Sequence, residues 1–505
     1  MNRKILLTNM YRFSVIVLLL TSVLCASSCK LFKGKHEKST KTGWNYNDPD
    51  WGGYEVKNVA EQETGPGLVF IEGGTFVMGR VSQDVMNDWN NMPRRVTVES
   101  FYMDETAVSN KDYKEYLHWL KRVYVSYPEV YRKALPDTLV WRRGLAYNEP
   151  LVEMYLRHPS YNDYPVVGVS WLQCNDYCLW RTNRVNEMIL IREGILEKDP
   201  NQKDENSFDT DAYLNGQYEG VVRKNLKSLD PNKEERRVML EDGILLPKYR
   251  LPTEAEWEFA AQGLIGNSYD ERIYEKRIYP WNGDVLRNHK KKDRGKMLAN
   301  FTRGRGDLMG VAGALNDAGS TTLPVNSFWP NDYGLYCMAG NVNEWVFDVY
   351  RPLSFEDVEE FNPVRGNVFT VLQVDETGAP VEKDSLGRMK RVPIKEEDAL
   401  SKRRQFTKSD YRNYVDGDHG STMDYNDEGL KTAGSDRMYD PKSSLVNDHV
   451  RVYKGGSWRD RPYWLSPGTR RFLDENESRD DIGFRCAMSR VGAQTSRHSL
   501  ISSKK

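Results

Sequence analysis

The chain has 505 residues, and its 72 Lys plus Arg almost cancel its 73 Asp plus Glu. No excess positive charge exists to displace counterions from a polyphosphate, which argues against a dedicated nucleic-acid-binding protein. Mean hydropathy is low, at −0.70, while aromatic residues make up 11% of the chain, so the composition describes a polar, loop-rich globule whose core leans on Trp and Tyr.

At the N-terminus, Arg3 and Lys4 precede an apolar run from Phe13 to Leu24 that is too short to span a bilayer permanently. Ala26, Ser27 and Ser28 then lead into Cys29. This pattern predicts a lipoprotein signal cleaved before Cys29, whose thiol becomes acylated. Cys25 is the poorer acceptor, because bulky Leu24 would precede the cut; an uncleaved anchor is the competing reading. No Asp follows Cys29, and Lys30, Lys33, Lys35 and Lys38 do. The expected address is therefore the outer membrane of a Gram-negative cell, lipid-anchored and facing the periplasm, with a basic tether near anionic head groups. Residues 1–28 are read as the signal peptide. Residues 29–64 are read as the lipidated tether, carrying a docking segment with Trp44, Tyr46, Trp51 and Tyr54.

Order is expected to begin at Gly67–Ile71, a strand stopped by Glu72, Gly73 and Gly74, with Thr75–Gly79 as its hairpin partner. Short strands are predicted at Arg95–Val98 and Ser100–Met103. Ser109 and Asn110 cap a helix through Tyr113, Tyr116, Leu117 and Leu120; a second starts at Ser170 and carries Trp171, Cys174, Cys178 and Trp180. A third follows Thr253, with Glu256 three residues later forming a capping box. Polar passages at about 121–160, 186–247 and 351–450 read as insertions into a domain spanning 65–490, followed by a polar tail at 491–505. The two longer ones are either solvated loops or partner-docking segments.

Besides Cys29, the mature chain holds Cys174, Cys178, Cys337 and Cys486. An even set in an exported chain favours disulfides. Cys174 and Cys178 lie four apart on one predicted helix, so each is expected to pair elsewhere. The seven histidines are scattered without metal-ligand spacing, which leaves zinc without a site.

Eight segments then recur in a fixed order: Gly73–Gly79, Met103–Asn110, Pro165–Trp171, Arg250–Glu258, Gly334–Tyr336, Gly340-Asn341-Val342-Asn343-Glu344-Trp345, Lys454-Gly455-Gly456-Ser457-Trp458 and Gly483-Phe484-Arg485-Cys486. Together they resemble the formylglycine-generating enzyme, or sulfatase-modifying factor, family. That resemblance implies a mixed, irregular α+β fold elaborated from a C-type-lectin-like core, here with large insertions. Gly43–Asp48, Asp84–Asn91 and Ser100–Glu105 narrow the resemblance to the gliding-motility lipoproteins of the type IX secretion apparatus of Bacteroidetes, the GldJ group with its GldK/PorK sibling.

The resemblance also sets expectations for chemistry. The family's enzyme oxidises a substrate cysteine with two thiols that bind copper, located between the Gly-Gly-Ser-Trp and Gly-Phe-Arg-Cys motifs. Here that interval, Arg459 to Ile482, contains neither Cys nor His, and neither Arg nor Ser replaces a soft thiolate. No catalytic residue and no catalytic cofactor is expected. The resemblance implies a Cys178–Cys486 disulfide, stabilising by roughly 3–5 kcal/mol in the chain-entropy model. Pairing Cys174 with Cys337 is then a guess, with two buried thiols as the alternative. It also offers two places for a structural calcium ion: Asn300, the Phe301 carbonyl and Asp317; and Asn341, the Val342 or Asn343 carbonyl and Glu344. Turn-forming and core hydrogen-bonding roles are the alternative for these residues. The expected function is a non-catalytic outer-membrane lipoprotein that assembles with other gliding and type IX secretion proteins, a ring lipoprotein and its periplasmic partner among them. The competing readings are a periplasmic oxidase of the formylglycine-generating type and a glycan- or peptidoglycan-binding module, the latter discounted because Trp171, Trp257, Trp345 and Trp458 sit inside the motifs.

Overall fold

The computed structural model describes residues 38–57, 61–80, 91–230, 232–265, 277–281, 285–304, 319–350, 361, 364, 370–394 and 449–492. Residues 1–28, read above as a signal peptide, together with Cys29, Asp317, most of the Asp84–Asn91 run and most of residues 351–450 lie outside these residues. The chain divides into two compact units: residues 1–60 with 224–242, and residues 61–223 with 243–505.

The larger unit is built on two four-stranded sheets. In the first, β1 (Leu68–Ile71), β4 (Phe101–Asp104), β14 (Ala487–Ser489) and β7 (Tyr249–Arg250) lie side by side in that order, all antiparallel. In the second, β12 (Arg471–Asp474), β11 (Val450–Lys454) and β8 (Asn343–Val349) pair antiparallel, and β13 (Ile482–Gly483) joins β8 in parallel. A ribbon of β2 (Gly74–Met78) and β3 (Arg94–Val98) stands beside them, and β9 (Thr370–Leu372) pairs with β10 (Arg391–Pro393). Irregular segments fill the space between, so the mixed, irregular α+β class is met. Among the described residues no helix is long and apolar enough to cross a membrane.

The expected hairpin between Gly67–Ile71 and Thr75–Gly79 does not form. Ile71 pairs with Phe101 and Met78 with Arg94, so the two segments enter different strand pairs. Glu72 and Gly73 redirect the chain instead of reversing it, at a point where a Cβ on Gly73 would lie 2.3 Å from the Val98 carbonyl oxygen. Such close backbone passage is open to glycine alone.

The three capped helices start where their caps stand. Ser109, Ser170 and Thr253 side chains each accept a bond from the backbone N–H of the third helical residue, and the side chains of Asp112, Gln173 and Glu256 accept in turn from the cap backbone N–H. The Trp171–Arg192 helix buries Trp171, Cys174, Tyr177 and Cys178 in one cluster with Phe484, Cys486 and Trp345. The Glu254–Gln262 helix is buried along its whole length. Three shorter helices, Pro128–Ala134, Glu149–Met154 and Thr210–Leu214, fall in the passages read as polar insertions. The 186–247 passage also holds a buried aromatic group, Phe208, Tyr213 and Tyr218, with ring centroids 5.2–6.3 Å apart.

Motif tryptophans are core, as expected. Trp345 Nε1 donates to the Val169 carbonyl at 3.0 Å, and Trp171 Nε1 to that of Val346 at 2.8 Å. Trp257 Nε1 donates to Glu344 at 2.7 Å. The two Glu344 oxygens also receive Arg485 Nε and Nη2, each at 2.7 Å. Arg485 further reaches the carbonyls of Asp104 at 3.1 Å and Tyr336 at 2.9 Å. Arg485 is 0% and Glu344 1% exposed, so the pair joins β4, β8, the Glu254–Gln262 helix and the last motif out of reach of bulk solvent.

In the smaller unit, residues 38–57 form successive turns, and β5 (Leu226–Lys227) with β6 (Glu235–Arg236) makes a short hairpin. Gly53 takes φ +67°, and a Cβ there would lie 1.8 Å from the Leu229 carbonyl oxygen. Arg236 clamps Glu55 at 2.6 Å and Asp242 at 2.7 Å.

Because a buried guanidinium left without its counter-charge is costly, Glu344→Gln is expected to destabilise by about 3–5 kcal/mol. A urea unfolding midpoint measures this, and a loss below about 1 kcal/mol would remove the pair from its central role.

Candidate functional site

The interval from Ser457 to Phe484 is the place where the resemblance puts catalysis, and the structure fills it with paired charges. The loop after β11 brings Ser457 and Asp460 together: the Ser457 amide and hydroxyl donate to Asp460 Oδ2 at 2.8 and 2.6 Å. Arg471, at the start of β12, binds both Asp460 oxygens at 2.8 and 2.6 Å and reaches Asn343 Oδ1 at 2.6 Å. The guanidinium is held between rings, with Trp464 at 4.4 Å and Tyr453 at 5.0 Å. Asp481 lies behind, accepting from the Ser457 hydroxyl at 3.2 Å and from Asn343 Nδ2 at 3.3 Å. Asp480 pairs with Arg459 at 2.6 Å and also with Arg143, whose guanidinium lies over Trp458 at 5.7 Å.

These two acids titrate in opposite directions. Burial would raise Asp460, but the Arg471 bonds outweigh it and hold the carboxyl below its usual range. Burial dominates at Asp481 and pushes it up. A carboxylate tied to a bidentate arginine and held below its range is a poor general base for the Ser457 hydroxyl. The interval itself contributes no imidazole to complete a nucleophile–base pair.

A second buried network lies on the other side of β11. Lys454 is 1% exposed and its Nζ reaches Glu254 at 3.2 Å and Glu258 at 2.9 Å. Arg470 binds the other Glu254 oxygen at 2.8 Å, and Glu258 accepts the Gly79 amide at 2.7 Å. Each charge is matched, which marks a structural network. Sequence reading missed it, although Glu254 and Glu258 sit four apart on one helical face. A cleft lined by Ser100, Phe101, Arg250, Glu256, Phe347 and Ser489 carries neither thiol nor imidazole, and its Arg250 and Glu256 bind each other at 2.7 Å.

All four described cysteines are thiols in this structure. Cys178 and Cys486 are neighbours, with Sγ atoms 3.4 Å apart in the buried core. Arg181 binds both Asp104 oxygens at 2.7 Å one turn beyond Cys178, and Asp104 accepts the Cys486 amide at 2.8 Å. Cys174 packs in that same core, its thiol raised by burial. Cys337 lies near Arg485 and Glu344, its thiol pushed up to about 12 by burial. It and Cys174 are both free thiols.

The calcium candidates divide. At the Asn341, Val342, Asn343 and Glu344 set, Glu344 is neutralised by Arg485, and Asn341 Oδ1 already accepts from the Leu323 amide at 2.8 Å and Asn300 Nδ2 at 3.3 Å. Asn343 Oδ1 is taken by Arg471. A hard cation needs several free oxygens, and two guanidinium groups already occupy this set. It does not fit calcium. At the other set, Asn300 is fully buried and its Oδ1 has no hydrogen-bond partner among the described residues. That orphaned oxygen, beside buried Phe301, suits a hard ion; Asp317 lies outside the described residues. Among the described residues no cluster of three His, Cys, Asp or Glu side chains could hold a metal.

Residues 54–490 match the family model described as the sulfatase-modifying factor enzyme 1-like domain. The chain is 25% identical over 320 residues to the formylglycine-generating enzyme of Mus musculus, covering 59% of this chain and 61% of that enzyme. It is 25% identical over 312 residues to the inactive C-alpha-formylglycine-generating enzyme 2 of the same species, covering 57% and 70%. Against the formylglycine-generating enzyme of Thermomonospora curvata the figures are 27% over 299 residues, 58% and 75%. The chain thus spans about three fifths of the length of the mouse enzyme. Among solved structures, PvdO from Pseudomonas aeruginosa superposes with a TM-score of 0.39 at 16% identity, covering 84% of this chain and 94% of that one.

Burial raises and facing cations lower Glu254 and Glu256, and as at Asp460 the net effect is downward. Their folded values lie below the unfolded ones, so the stability they contribute is complete above the ordinary carboxylate range and is lost as pH falls through the folded values. Asp481 has the opposite sign and offsets part of that loss. The melting temperature is expected to hold between about pH 7 and 5 and to fall steeply below about pH 4. Thermal melts across pH check this; a midpoint flat to about pH 2 would contradict it.

Proposed function

We propose, from the premise that this chain belongs to the sulfatase-modifying factor enzyme 1-like domain family, that it is a non-catalytic outer-membrane lipoprotein of the GldJ type, with GldK/PorK as its sibling. In this reading it is a structural or assembly component of the Bacteroidetes gliding and type IX secretion machinery. It is anchored through acylated Cys29 and faces the periplasm, where it orders ring and motor-coupled partners.

The observation that carries the loss of catalysis is the Ser457–Phe484 interval. A thiol-based copper oxidase needs soft ligands that change redox state. Here the interval supplies an aspartate locked to an arginine between two aromatic rings. That one curated relative is named as an inactive member supports the reading that the framework exists without the activity. The assignment to gliding and secretion is supported by the sequence segments Gly43–Asp48 and Ser100–Glu105 and by the Cys29 signal. In the family framework the retained roles are structural: the 3.4 Å approach of Cys178 and Cys486 supports a disulfide made by the oxidants of an exported compartment. Asn300 Oδ1 and the Phe301 carbonyl, with Asp317, would hold a structural calcium ion.

Two measurements test the reading. Purified protein supplied with copper and a cysteine-containing peptide is expected to consume no oxygen, and tagged protein from membranes is expected to co-purify type IX secretion components. Copper-dependent turnover would establish the enzyme instead, and a pull-down empty of secretion proteins would sink the assembly role. Alkylation of the exported chain under non-reducing conditions is expected to leave Cys178 and Cys486 unlabelled and joined in one disulfide-linked peptide. Full labelling of both would show that the bridge is not made.

A further inference from the structure

We propose that the smaller unit is a membrane-interface platform on which Trp44, Trp51 and Tyr54 sit at the head-group level of a phospholipid surface. The proposal rests on the reading of Cys29 as the acylated anchor. The three rings are set on defined turns. The Ser39 amide donates to the Trp44 carbonyl at 2.8 Å, and the Asn47 amide to that of Tyr54 at 2.9 Å. The Asn47 side chain bonds the Val56 backbone in both directions, at 3.0 and 2.8 Å. Asp48 caps the turn Pro49–Trp51 by accepting the Asp50 amide, and it also accepts from Asn45 Nδ2 at 3.1 Å. On this frame Trp44 and Trp51 meet edge to face, 5.8 Å apart at 82°.

Their exposure is what needs an occupant. Trp44 is 56%, Trp51 44% and Tyr54 66% exposed, whereas the motif tryptophans are buried. Trp329 is the other widely exposed tryptophan among the described residues, and Lys290 lies over its ring at 4.8 Å. An indole or phenol with an apolar body and one polar edge is favoured where hydrocarbon meets head groups.

Chain length names the surface. Trp44 stands fifteen residues after Cys29, and even a fully extended chain of that length reaches only about 50 Å. Acylation therefore holds the platform at high local concentration beside the bilayer. The intervening Lys30, Lys33, Lys35, Lys38 and Lys41 complement anionic head groups. Asp50 is the opposing charge nearest Trp51 in sequence; the Asp48 carboxylate is occupied by the capping bonds described above.

The test uses the mature chain with Cys29→Ser, so that no acyl group contributes, and vesicles of mixed phosphatidylethanolamine and phosphatidylglycerol. Flotation is expected to show binding that falls by about tenfold or more in a Trp44→Ala, Trp51→Ala, Tyr54→Ala variant. Brominated lipid is expected to quench tryptophan fluorescence in the parent, a readout that requires no variant. Circular dichroism and the urea midpoint check that the variant folds. Equal flotation of folded variant and parent, or no quenching in the parent, would overturn the proposal. So would binding to purified cell-wall sacculi that depends on the same three residues while vesicles go unbound. The mass of the native N-terminal peptide reads acylation separately, so a failure of the anchor and a failure of the platform are told apart.

Discussion

The pairing of Arg485 with Glu344 is the constraint on which the larger unit is assembled. Both groups are inaccessible to water, so neither could be charged without the other, and their two-pronged geometry fixes distance and orientation together. The guanidinium spends its remaining donors on the carbonyls of Asp104 and Tyr336, and the carboxylate takes the Trp257 indole. Four chain segments that are far apart in sequence, around residues 104, 257, 336–344 and 485, are thereby placed within one hydrogen-bond network. The residue on one side of Glu344 is Asn343 and the residue after Arg485 is Cys486, so the Asp460–Arg471 group and the Cys178 contact both inherit their positions from this pair.

The same framework gathers polar groups around an interval that carries neither Cys nor His. Strands β8, β11, β12 and β13 still converge on the interval between Ser457 and Phe484, and they still deliver a dense cluster of polar groups there. Most charged groups in that cluster are paired, Asp460 with Arg471 and Asp480 with Arg459, and Ser457 bonds Asp460, while Asp481 Oδ1 is buried without a hydrogen-bond partner among the described residues. A site that performs work must leave some groups incompletely satisfied until substrate arrives. Here the arginine–aspartate pairs are neutralised, and Asp481, pushed up by burial, is the acid left incompletely bonded.

Much of the larger unit was legible because the signals are local. Ser109, Ser170 and Thr253 with Asp112, Gln173 and Glu256 announce three helix starts through bonds made within four residues. Short strands expected at 95–98 and 100–103 form as Arg94–Val98 and Phe101–Asp104. The segments at 67–79 misled, because two short strands around a Gly pair look like a hairpin, and only distant partners near 94–104 show that they separate. The 186–247 passage looked solvated because Phe208, Tyr213 and Tyr218 follow no helical or strand period, yet they pack on one another in space. Asn341 and Glu344 carry oxygens a cation could use, and nothing in their spacing reveals that Arg485 and Arg471 claim that neighbourhood.

By itself the sequence determined the order of the motifs, the helix caps and the want of sulfur or imidazole between Arg459 and Ile482. These are properties of residue identity and of contacts a few positions apart. Only the tertiary structure decided which carboxylate each arginine neutralises, that Cys178 and Cys486 stand 3.4 Å apart across 308 positions, and that Trp44 and Trp51 face outward while Trp345 and Trp257 do not. The physical reason is that pairing and burial depend on which distant segments share a volume, and a linear spacing carries no record of that.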